Sequence, residues 1–159
     1  MKLKGTQKNI KCDLGDEIVT RDSIGKKAVS RYDGSIRKNA EKYNIDPDLV
    51  RSIMYVENAR GHKLGLNDLA DKIGFSDSIM PMNIQKDKWS KLVGKNPDDM
   101  YNPDTNIEAA TVLLKRIMDR IEKPTPEKIG SIWNSASKEK TSKFGEYVRQ
   151  VYDEKPWKK

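Results

Sequence analysis

The chain has one cysteine and one histidine in 159 residues. Cys12 has no partner for an internal disulfide, and neither Cys12 nor His62 has the neighbours a metal site needs, so no metal and no cofactor is expected. No apolar run approaches the roughly 20 residues that cross a bilayer, which excludes a membrane-spanning helix. Internal repeats are absent, and no stretch alternates apolar and polar residues in the manner of a half-buried strand. The expectation is an all-α protein with irregular connections.

An apolar signal segment is also lacking, since polar residues follow Lys2 and Lys4. The net charge of +7 is uneven: residues 1–31 carry eight Lys or Arg against four Asp or Glu, and residues 155–159 carry three Lys and no acid. Residues 32–154 are therefore neutral. This divides the chain into a basic N-terminal extension (1–31), one folded domain (32–154) and a basic tail (155–159). Basic ends on a neutral body suit loose attraction to a polyanion, and a dedicated nucleic-acid surface is not expected.

Within the body, helix signals recur. Gly34-Ser35 opens a short helix carrying Ile36, Ala40 and Tyr43. Residues 62–78 read as loops around a short helix at 67–73, Pro81 interrupts the next stretch, and residues 85–93 suit a helix ended by Gly94. Asn102-Pro103 starts the longest core pattern, Ile107, Ala110, Leu114, Ile117 and Ile121, expected to be the central packing helix. Thr125-Pro126 starts another, and Phe144, Val148, Val151 and Tyr152 mark the last helix before Pro156.

The most informative stretch is Ile45 to Gly61. Asp46 suits an N-cap, Pro47 the first helical position, and Asp48 complements the helix dipole. At helical spacing, Leu49, Val56, Ile53, Val50 and Met54 form one apolar arc, while Asn58, Arg51, Tyr55, Asp48 and Ser52 fill the other side. Glu57 falls near the middle of the apolar arc. A buried carboxylate either finds donors or a cation, or its pKa rises until it is a usable general acid. From this helix alone, both readings stand.

Four stretches in order resemble the lysozyme-like lytic transglycosylases, the group of the soluble lytic transglycosylases and goose-type lysozymes. They are Ile45 to Glu57; Ser78-Ile-Met-Pro-Met-Asn83; Asn102-Pro-Asp-Thr-Asn-Ile-Glu-Ala-Ala110; and Trp133-Asn134 with Tyr147-Val148. Together they span residues 35–153. The sequence departs from the family pattern at three places: Asn58 stands where Ser is usual, Pro81 where Gln is usual, and Ser135-Ala136-Ser137 where a Gly-rich stretch is usual.

The resemblance implies a lysozyme-like single domain with irregular loops around a central helix. It implies cleavage of peptidoglycan between MurNAc and GlcNAc, as a lytic transglycosylase or muramidase, with Glu57 as catalytic acid and base. Met80, Met82, Asn83, Trp133, Asn134 and Tyr147 become substrate-binding candidates, with Tyr147 reaching the Glu57 carboxyl or the sugar. A hydrolase of the inverting type would need a second carboxylate about 6.5–9.5 Å away, for which Asp68, Asp71 and Asp77 are the candidates. The competing reading is a non-catalytic peptidoglycan-binding module on the same fold.

Peptidoglycan lies outside the cytoplasm. The expectation is action in a periplasm or cell wall after delivery by a dedicated secretion or lysis route, as an antibacterial effector whose immunity protein blocks the cleft. Removal of a native signal is the plainer alternative.

Overall fold

The computed structural model describes residues 7–11, 17–60, 78–135 and 142–159. The expected helix at 67–73, Cys12 and His62 lie outside them. Seven α-helices are present among the described residues: α1 (Asp22–Arg31), α2 (Asp33–Lys42), α3 (Pro47–Arg60), α4 (Lys86–Trp89), α5 (Pro103–Arg120), α6 (Pro126–Ser135) and α7 (Lys143–Glu154). None is long and apolar enough to cross a membrane. The protein is all-α in class, with two small antiparallel hairpins added: β1 (Gln7–Lys11) with β2 (Glu17–Arg21), and β3 (Ser78–Ile79) with β4 (Ile84–Gln85).

The centre is α3, not the longer α5. Asp46 caps α3 as expected, its carboxylate accepting from the Asp48 amide at 2.9 Å. Leu49, Val50, Ile53, Met54 and Val56 enter the core, but Ser52 and Tyr55, expected on the polar side, are also fully buried. The reason is α1, which packs along that side of α3, as α2 and α7 do elsewhere. Residues 22–31, expected to belong to an extension outside the packed body, are thus helical, with Val29 1% exposed.

The α1–α3 approach depends on Gly25, where a Cβ would lie 2.7 Å from the Tyr55 carbonyl oxygen. The helices are further tied by Asp22, fully buried, whose Oδ1 accepts from the hydroxyls of Tyr55 at 3.1 Å and Tyr147 at 2.5 Å. Burial, reinforced by the Asp22 charge, pushes the Tyr55 phenol far above its ordinary value.

Asn102 caps α5 by accepting from the Asp104 amide at 3.0 Å, with Pro103 at the first helical position. Only the N-terminal part of α5 is deeply buried, through Asn106, Ile107, Ala109, Ala110, Thr111 and Leu114, while Ile117 and Ile121 are half-buried. Residues 86–93 form α4 and a 3-10 turn that Gly94 ends in the left-handed region, φ 65°. At the other end, α6 and α7 pack closely because Gly145 leaves room for Ser131 and the Glu127 carbonyl.

Candidate active site

Glu57 stands in the last turn of α3 and is 4% exposed. Among the described residues, three side chains surround its carboxyl group. Asn83 and Trp133 face it with N–H donors that favour its charged form, and Arg60, one turn on, brings Nη1 to 3.9 Å from Oε1. Indole has a single N–H and no acceptor, so Trp133 can only donate there.

Loss of water is the largest influence on this carboxyl group, and it outweighs the Arg60 charge and the donors of Asn83 and Trp133, raising the pKa from 4.5 to about 7. Near neutrality Glu57 can therefore both hold a proton and release it, which general acid-base work needs.

Asn83 reaches Glu57 because the turn between β3 and β4 is pinned from behind. Asn106, fully buried at the start of α5, donates to the carbonyls of Ile79, Met80 and Met100 at 2.9, 3.3 and 3.2 Å and accepts from the Met82 amide at 3.1 Å. Both hydrogens of its amide are used, shared among three carbonyls, and its oxygen accepts one bond. From α3, Asn58 donates to the Pro81 carbonyl and to the Met54 carbonyl, both at 2.8 Å. Two departures from the family pattern, Asn58 and Pro81, are thus in direct contact. Asn83 itself has φ 55°, a conformation asparagine accepts more readily than most residues.

The expected site residues divide. Asn83 and Trp133 meet at Glu57, and Asn134 lies beside them, its Oδ1 accepting from Arg60 Nη1 at 2.6 Å. Met80 is 37% exposed on the same turn as Asn83. Met82 is fully buried, so its side chain fills the core and does not line a surface. Tyr147 is 5% exposed and gives its single phenolic hydrogen to Asp22, so it does not donate to Glu57 as expected. Asp68, Asp71 and Asp77 lie outside the described residues.

Arg60 was not legible as a site residue. At the end of a helix an arginine reads as a dipole-compensating charge, and only its placement over the Phe144 ring, 4.9 Å from the centroid, turns it toward Asn134 and Glu57. Asn106 and Asn58 were likewise missed in their pinning roles.

The raised pKa has a thermodynamic consequence. The folded state holds the Glu57 proton more tightly than an unfolded chain with pKa 4.5 does, so stability falls as pH rises from 4.5 to about 7 and then levels off. The full effect is on the order of 3 kcal/mol. Glu57→Gln is expected to remove this dependence and to melt higher than the parent above pH 7. Parallel melting curves of parent and variant across that window would contradict the assignment.

The family model for the transglycosylase SLT domain matches residues 34–137, a span that holds Glu57, Asn83, Trp133 and Asn134. No curated protein and no solved structure matches the chain. A match over well more than half the sequence identifies the chain as a member of the transglycosylase SLT domain family.

Proposed function

We propose that this protein cleaves peptidoglycan glycan strands between MurNAc and GlcNAc, with Glu57 acting first as general acid and then as general base. The observation that carries the proposal is the near-complete burial of a carboxyl group whose close partners among the described residues are Arg60, Asn83 and Trp133. Family membership supports the same substrate class.

Protonated Glu57 gives its proton to the oxygen linking the two sugars as the bond to the muramoyl anomeric carbon breaks. Positive charge develops on that sugar ring. The carboxylate left behind is then stabilised by the N–H groups of Asn83 and Trp133 and by the Arg60 charge. It next removes the proton from the muramoyl six-position hydroxyl, whose oxygen closes onto the anomeric carbon. The product is an anhydro-muramoyl end, Glu57 is protonated again, and no water is consumed. A single carboxylate suffices for this route.

Mass spectrometry of digested sacculi tests the proposal, because an anhydro end is lighter by one water than a reducing end. The native protein is expected to release anhydro-muropeptides with activity falling above pH 7, as the acid form of Glu57 is lost. Glu57→Gln is expected to abolish release, a loss of at least about 100-fold. Reducing ends would assign a hydrolase, and sacculus binding without product would favour the non-catalytic module.

The proposal extends to delivery into a periplasm by a secretion or lysis route, as an antibacterial effector held in check by an immunity protein. The basic ends, residues 1–31 and 155–159, suit attraction to a phosphate-bearing envelope polymer. Periplasm-directed expression is expected to stop growth for the parent and not for Glu57→Gln; harmless expression of the parent counts against it.

A further inference from the structure

Arg60 has more capacity to bind than the protein uses. Its guanidinium carries five N–H donors in a planar fork. One arm, Nη1, donates to Asn134 Oδ1 at 2.6 Å and lies 3.9 Å from Glu57 Oε1, a separation too long for a hydrogen bond. Nε and Nη2 have no hydrogen-bond partner among the described residues. The side chain is 31% exposed, and its guanidinium carbon lies 4.9 Å from the centroid of the Phe144 ring, itself 3% exposed, so a buried ring anchors the group while part of the side chain stays open to solvent.

The charge balance points the same way. Glu57 provides the one carboxylate within 4.0 Å of Arg60 among the described residues. In the state that donates a proton, Glu57 is neutral, and the arginine is then a cation with no anion beside it among the described residues. A guanidinium anchored over a buried ring, with Nε and Nη2 unused and no second carboxylate near it among the described residues, is suited to a planar anion that it can grip with two parallel N–H bonds.

We propose that Arg60 is the receptor for a carboxylate carried by the glycan, taken on its Nε/Nη2 edge while Nη1 remains on Asn134. This rests on the reading of the site as one for peptidoglycan. The carboxylate has two sources. A muramoyl residue stripped of its peptide bears a free lactyl carboxylate, whereas an intact strand has an amide there and carries its carboxylates along the peptide stem. Arg60 thereby becomes a specificity determinant that separates muramoyl strands from neutral N-acetylglucosamine polymers of the same backbone.

Titration calorimetry on the full chain carrying Glu57→Gln, which removes turnover, tests this with three probes: a neutral chitooligosaccharide, a peptide-free muramoyl strand, and the same strand bearing its stems. Adding Arg60→Gln, which keeps an amide donor for Asn134, is expected to weaken the carboxylated probes by about tenfold or more and leave the chitooligosaccharide unchanged. Loss confined to the peptide-free strand assigns the lactyl carboxylate, and loss confined to the stem-bearing strand assigns the peptide.

Arg60→Lys retains the charge without the fork and is expected to lose part of that affinity, which keeps the test readable if Arg60→Gln does not fold. Equal weakening of all three probes would make Arg60 a scaffold for Asn134 alone and overturn the proposal. Unchanged affinity for the carboxylated probes, or no binding of any probe, overturns it as well. The cleavage reading fails separately, when native protein that binds these strands in this pattern releases no product from sacculi.

Discussion

The removal of water from Glu57 is the constraint on which the rest of the molecule turns. An ionised carboxylate in such a place costs several kcal/mol unless it is compensated, and here compensation is partial. Arg60, Asn83 and Trp133 favour the charged form, burial favours the neutral one, and burial prevails by enough to bring the pKa to about 7. A fully paired carboxylate would be a poor acid, and an unpaired one a poor base. The site lies between these limits because its cation stands at 3.9 Å rather than in direct contact.

Holding that balance requires fixed neighbours, and the fold supplies them from three directions. α3 is buried on nearly every side, so Glu57 has little freedom to retreat toward solvent. Behind the turn that carries Asn83, Asn106 and Asn58 capture backbone carbonyls that would otherwise be unsatisfied in the interior. On the opposite side, α6 presents Trp133 and Asn134, and Arg60 over Phe144 links α3 to both α6 and α7. Loss of any one pin would move a donor away from a carboxyl group whose pKa depends on it.

Much of this could be read from residue order. The caps at Asp46 and Asn102 depend on neighbours in sequence, and both occur as expected. Glu57 was visible because helical periodicity places it among apolar residues, and the resemblance added Asn83, Trp133 and Asn134. Periodicity describes one face of one helix. It could not show that α1 covers the far side of α3, and so Tyr55, expected opposite the apolar arc, is buried against Asp22. For the same reason Tyr147 was aimed at Glu57: nothing in the sequence connects it to an aspartate 125 positions away. Met82 was as readable for packing as for a substrate wall, and the turn decides it by directing Asn83 outward and Met82 into the core.

The central claim is that Glu57 is a buried acid poised near neutrality, and direct titration tests it most simply. Carbon-13 NMR of the carboxyl signal that is missing from the Glu57→Gln spectrum follows this one group through its protonation. The account predicts a midpoint near pH 7. A midpoint near the ordinary value of 4.5 would contradict it, since Glu57 would then be charged throughout the neutral range and unable to serve as the proton donor.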